Sequence, residues 1–314
     1  MTKVQPVIIP VNLTQQRTTS FPVPIHNHGK AKVRVMKVVR TGSKHFCYEY
    51  SVDTTLFSPA YEKVFTQEDN GGLVATDTQK NTVYVVAKRT KADSPEQFSV
   101  DLCKHFLQEY PVLTAAEATV RMVLWERAVV GGEEHEHGWI KVGPEQAVAV
   151  AHMTRENSVV TVRSFIVGMT IFKSTQSGFA DYHMDQYTLL PPCTERCLST
   201  EMTAEWSYVA AADVGSGEFD FTQSREVVRR ELVRGVFGPA KGGVFSVSLQ
   251  ATIYDAACLV LSAVSSVASI KIDTPNKHYL PYRQLAALGE VFEDDIFVPT
   301  DEPSGTITCT VNRS

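Results

Sequence analysis

No apolar run in the 314-residue chain is long enough to cross a bilayer. The most hydrophobic stretch, residues 256–270, falls short of the roughly 20 residues a transmembrane helix needs and is interrupted by Ser262, Ser265, Ser266 and Ser269. No basic stretch followed by an apolar run opens the sequence, so no secretory leader is expected. An excess of positive charge is also missing: 30 Lys and Arg face 35 Asp and Glu, a net of −5. That balance argues against a nucleic-acid surface and against a field that draws the protein to a membrane, and any anion site has to be built locally. Cysteine is scarce. Cys47, Cys103, Cys193, Cys197, Cys258 and Cys309 are scattered without a C-x2-C pair, which predicts reduced structural thiols and a cytosolic compartment. No flavin or haem motif is present, and the histidines lack zinc-finger spacing. His135 and His137 in EEHEHGW stand two apart and share one face of a strand, but no third ligand is evident, so no metal site is expected.

What the sequence does have is an ordinary globular composition, 43% hydrophobic and 21% charged, in a chain long enough for two domains with a core each. Residues 1–28 carry four prolines and little alternation, and read as an extended arm. From residue 31 the pattern becomes that of strands: AKVRVMKVVR and FCYEYSVDTTLF alternate with period two and predict a hairpin. Helices are predicted over 73–89, with Thr76 or Asp77 as its cap, and over 94–110, with Ser94 as cap and Pro95 in the first turn. Strands follow at 116–127 and 139–153, separated by AVVGGEEHEH. The second half repeats the order: strands at 159–173 and 198–211, helices at 221–238 and 246–266, strands at 270–279 and 305–311. Two tandem β-β-α-α-β-β units make an α+β protein, each an antiparallel sheet backed by two helices, divided here as 29–155 and 156–314. Sheets of this size have open edges, which predicts edge-to-edge association and closure into a barrel.

Several short segments carry chemistry-bearing residues, and each has an ordinary reading beside the functional one. Thr76 and Asp77 in VATDTQKNTVY lie at a helix start, where backbone N–H groups favour an anion; they could equally be a plain capping pair. The long non-periodic stretch 174–200 holds Phe179, a stacking platform or a core aromatic, and Arg196, an anion clamp or a surface ion-pair partner. Leu249 and Gln250 open an apolar helix. Asn276 and His278 in PNKHY follow a strand. Lys30 stands at the mouth of the first one and is otherwise a solvated lysine.

Taken together, VATDTQKNTVY (74–84), FKSTQSGF (172–179), DQYT (185–188), PNKHY (275–279) and IFVPTDEPSGTITCTV (296–311) resemble the urate oxidase, or uricase, family over roughly nine tenths of the chain. The resemblance implies the tunnelling fold (T-fold), a homotetramer, and cofactor-free oxidation of urate by O2 and water to 5-hydroxyisourate and hydrogen peroxide. Residue by residue, it implies that Lys30, Thr76 and His278 form a proton relay and that Arg196 and Gln250 clamp the purine, with Leu249 beside them. It puts Phe179 under the ring, Asn276 at the oxygen or water position, and the Asp77 backbone N–H at the purine edge. It further implies that Lys30, Thr76 and Asp77 of one chain face Phe179, Arg196, Gln250 and Asn276 of a neighbour. His28, Leu249 and the Gly138–Trp139 pair depart from the usual family residues. The ending TVNRS lacks a Ser-Lys-Leu-type tail, in keeping with a cytoplasmic expectation. Two other readings remain at this point: a pterin-type enzyme of the same fold, which holds its heterocycle with a glutamate and often uses zinc, and a non-catalytic purine binder.

Overall fold

The computed structural model describes residues 21–313, so most of the arm read over 1–28 lies outside the described residues. Strands β1 (His28–Thr41) and β2 (Lys44–Phe57) are followed by α1 (Glu62–Thr66), α2 (Thr76–Arg89) and α3 (Pro95–Glu109), then by β3 (Ala115–Val130) and β4 (Glu133–Thr154). The order then recurs as β5 (Val160–Lys173), β6 (Leu198–Tyr208), α4 (Phe221–Phe237), α5 (Leu249–Ala263), β7 (Val267–Pro281) and β8 (Phe297–Asn312). The two tandem β-β-α-α-β-β units of the T-fold are therefore present, with the short α1 as an unforeseen addition.

The two sheets expected to meet edge to edge do so within the chain. β4 pairs with β5 from Gln146↔Val167 to Met153↔Val160, giving one antiparallel eight-stranded sheet in sequential order. Period-two alternation explains its covered face. Tyr50, Val52, Thr54 and Leu56 of β2, and Ala116, Ala118, Val120 and Met122 of β3, point under the helices and are buried. α3 lies on β3 and β4, α2 on β1, and α5 on β7 and β8 with α4 against it. Beneath them sit two apolar cores, one centred on Val52, Phe98, Leu102 and Phe106, the other on Met202, Trp206, Leu232 and Ile253. No helix among the described residues is long and apolar enough to cross a membrane.

Several sequence expectations need correction. Neither Thr76 nor Asp77 caps α2: the cap position is Ala75, without a side-chain cap bond, and Thr76 is the first helical residue. The segment 128–137 is not a loop between strands. β3 and β4 run through it, and only Gly131 and Gly132 turn, both at positive φ (64° and 89°), which glycine adopts without strain. β8 begins eight residues before its expected start and carries Pro299 and Pro303, which an edge strand tolerates.

The units are also joined by a buried charge pair. Glu96, in the first turn of α3 and fully buried, accepts from Arg225 of α4 at 3.2 Å. Burial raises the Glu96 carboxyl above its ordinary value, and Arg225 opposes that. Glu96→Ala leaves the Arg225 cation uncompensated, and the expected loss is about 3–5 kcal/mol of stability, read from denaturant midpoints. The double variant with Arg225→Ala should lose less than the two single losses added. Strict additivity would show that the pair is not coupled.

Candidate active site

The predicted residues collect at two places in the chain. The first surrounds Lys30. Lys30 pairs with Thr54 across the β1–β2 ladder, and Gly29 before it lets the strands approach: a Cβ there would stand 2.3 Å from the Thr54 carbonyl oxygen. The register slips between Lys30 and Val33, where Lys32 takes φ 57° and its N–H donates to the Asp53 carboxylate at 2.6 Å. Such a bulge re-aims the side chains beside it. Thr54 also donates through Oγ1 to Oε1 of the fully buried Gln79 (2.8 Å), and Gln79 donates to the Val74 carbonyl (3.1 Å). These bonds dock the start of α2 against β2 next to Lys30. Thr76 is half-buried and Asp77 exposed. Asp77 holds Lys80 (2.5 Å) and Asn81 (2.9 Å). The Lys80 bond keeps its carboxyl below the usual range, with a smaller pull from Lys30.

The second place is a cavity of about 290 Å³ whose lining includes Phe179, Arg196, Asn276 and His278. Phe179 and Arg196 come from the connection between β5 and β6. It is irregular but not loose. The Phe179 N–H donates to the Cys193 carbonyl (2.6 Å), the Cys193 N–H donates back (2.8 Å), and the Arg196 N–H donates to the Ser177 carbonyl (2.8 Å). Tyr182 stacks on Phe179 (centroids 4.7 Å apart, planes at 11°), and the Arg196 guanidinium lies over the Phe179 ring, 5.4 Å from its centroid. Burial pushes the Arg196 guanidinium down from its ordinary value. Its Nε is buried with no hydrogen-bond partner among the described residues, a donor without an acceptor in a cavity, as an anion site requires. Asn276 and His278 are brought in by β7, which pairs Asn276 with Thr200 of β6 and with Gly305 of β8; the β7–β8 register breaks between Asn276 and His278.

Gln250 stands apart from this lining. It is exposed in the first turn of α5, where the Ser248 hydroxyl accepts from the Ala251 N–H (3.1 Å). The Leu249 side chain is buried in the second core, which leaves its backbone N–H, in the first turn of α5, as the group that could meet a ligand. Lys30, Thr76 and Asp77 do not line the cavity either. β1 and β7 are separated by five strands of the sheet, so within one chain the two groups of residues lie apart. Sequence reasoning missed Tyr182, which has no periodic signal in an irregular segment, and Lys173, which reads as a solvated strand end but is buried. His135 and His137 come together with ring centroids 4.6 Å apart, and among the described residues no trio of His, Cys, Asp or Glu is arranged to hold a metal.

Comparison with known proteins points to one family for the chain. The uricase family model matches residues 26–152 and 162–308. Soybean (Glycine max) uricase-2 isozyme 2 is 39% identical over 292 residues, covering 91% of this chain and 94% of that protein. Uricase of Oryctolagus cuniculus is 33% identical, covering 91% and 93%. The crystal structure of uricase from Arthrobacter globiformis superposes with a TM-score of 0.83 at 30% identity, covering 94% of this chain and 96% of that one.

Proposed function

The chain belongs to the uricase family, and from that premise we propose that its two clusters are complementary halves of one site, completed between copies of the chain in a homotetramer. Its activity is that of a urate oxidase, with urate and molecular oxygen as substrates. The observation that carries the shared site is the separation just described: Lys30, Thr76 and Asp77 lie on one part of the sheet, the Phe179–Arg196 cavity on another. The outer edges of β1 and β8, which have no strand partner among the described residues, and the apolar Met36, Val38 and Val298 that these strands expose, support assembly.

In this reading Arg196 grips one edge of the flat urate anion with its planar fork, the Gln250 amide and the Leu249 N–H take the other, and Phe179 carries the ring face. The neighbour's Asp77 N–H meets the purine edge. The deprotonated purine is itself the electron donor. It passes an electron to O2, the radicals combine at C5, and water then displaces peroxide, so that urate, O2 and water give 5-hydroxyisourate and hydrogen peroxide. The protein's tasks are to take up a proton, hold oxygen or water beside Asn276, and activate that water. Lys30 with Thr76, and His278 from the other half, are the groups placed for proton movement. No cofactor enters this scheme.

One experiment addresses both claims. Purified protein in strong chelator should consume urate, followed by its absorbance, and release peroxide. Lys30→Met and Arg196→Ala homo-oligomers should be nearly inactive. Co-refolded one to one, they should recover activity at about a quarter of the sites, those that pair an intact half from each chain. Activity that vanishes in chelator and returns with a metal would overturn the cofactor-free reading. Mixed oligomers, demonstrated by mass, that stay inactive would put both residues in one site on one chain.

A further inference from the structure

Lys173 ends β5 where the sheet gives way to the segment bearing Phe179 and Arg196. Only 7% of it is exposed. Its ammonium donates to the Val244 carbonyl (2.7 Å) and to the Ser246 hydroxyl (3.0 Å), both on the approach to α5. Around that anchor the two backbones are laced together: the Gly178 N–H donates to the Ser246 carbonyl (2.9 Å), the Ser246 N–H to the Gln176 carbonyl (2.9 Å), and Ser177 forms a parallel bridge with Ser246. The joint lies one residue before Phe179, two before the Ser248 cap of α5, and next to the Ser177 carbonyl that receives the Arg196 N–H. Two pieces of chain, the β5–β6 connection that carries both Phe179 and Arg196 and the approach to the Leu249–Gln250 helix start, are therefore tied together beside one buried ammonium.

A joint that only had to hold two loops together would be better served by a neutral donor. A buried ammonium has to be stripped of water, and here its direct partners are neutral. The nearby carboxylate, Glu195, is committed to the Thr175 hydroxyl (2.7 Å) and the Gln176 N–H (3.0 Å). Burial accordingly pulls the Lys173 ammonium below its ordinary value.

We propose that Lys173 is a positioning residue for urate binding: its two bonds fix the spacing between Phe179, Arg196 and the α5 start, so that ring stacking and both edge contacts form at once. The inference rests on the urate-oxidase reading of this site. Misplacing a binding group by about an ångström is enough to cost orders of magnitude in an enzyme site.

The test is anaerobic titration with urate, so that binding is read without turnover, alongside thermal unfolding. Lys173→Met should raise the urate Kd about tenfold or more while the unfolding midpoint stays close to wild type, because the bulk of both cores is untouched. Ser246→Ala keeps the lysine and removes one acceptor; it should raise the Kd by a smaller factor, and it serves if the methionine variant does not fold. Lys173→Arg, which keeps a charged donor, should recover part of the affinity. A lowered midpoint with wild-type Kd in the folded variants would make Lys173 a structural joint and overturn the proposal. Wild-type protein that neither binds nor consumes urate would fell the functional reading itself, and this inference with it.

Discussion

Arg196→Ala is expected to weaken urate binding by about 2–4 kcal/mol, or roughly 30- to 900-fold in Kd. The size of the effect follows from the surroundings of the guanidinium. It is half-buried, its Nε is enclosed without a partner, and its backbone is pinned by the Ser177 carbonyl, so its donors are held ready and are not satisfied by the chain. A planar anion resting on Phe179 would receive parallel charge-assisted bonds from that fork, the geometry in which arginine exceeds lysine. Arg196→Lys should therefore recover little of the loss, since a point charge does not replace the two-pronged grip. The rest of the site keeps working when urate saturates it, so turnover at saturation should fall much less than affinity. The measurement is the urate Kd without oxygen, with KM and kcat in air. Wild-type affinity in Arg196→Ala would remove this residue as the anchor, and recovery by lysine would reduce its role to simple charge.

How far such a site can be read from sequence depends on how local each determinant is. The start of α3 was legible because Ser94, Pro95 and the Gln97 N–H that the serine accepts lie within four residues. The element order was legible because strand and helix periods differ and each unit repeats them. The start of α2 was misread because a threonine and an aspartate at the right spot look like caps, whereas the docking of that turn is done by Gln79 reaching Thr54, 25 residues away. The neighbourhood of Lys30 and Thr76 has no sequence spacing to announce it. The β1–β2 register sets Lys30 opposite Thr54, and the Thr54–Gln79 bond ties α2 to that strand; only family resemblance puts Lys30 and Thr76 side by side. Leu249 shows the limit of carrying residues over by resemblance: its side chain belongs to the core, so any part it takes in binding falls to its backbone. Lys173 was illegible for the opposite reason. A lysine at a strand end is normally solvated, and its burial depends on a loop 71 residues further along the chain.

Lys30→Met, Thr76→Ala and the double variant should share nearly the same loss of turnover, about 10²- to 10⁴-fold, the range expected when a positioned proton-transfer group is removed. The motivation is their placement. Lys30 sits at a bulge of β1, the strand on which α2 lies, and Thr76 is the half-buried first residue of that helix. A hydroxyl and an amine so arranged form a relay only as a pair. Once either is gone the path is broken, and removing the other adds little, as is usual for groups that serve one step. Urate affinity should stay near wild type in all three variants, because Phe179 and Arg196 line a cavity that neither Lys30 nor Thr76 lines. His278→Ala provides the contrast. It lies in the clamp's cavity, so if it receives or returns the proton there, its loss should lower turnover and alter the pH dependence while the Lys30 and Thr76 variants merely scale the profile down. Steady-state turnover across pH for the four variants, with anaerobic urate titrations beside it, decides the matter. If the Lys30 and Thr76 losses multiply in the double variant, the two residues act in separate steps. The relay would then be wrong, while the chain would remain a uricase.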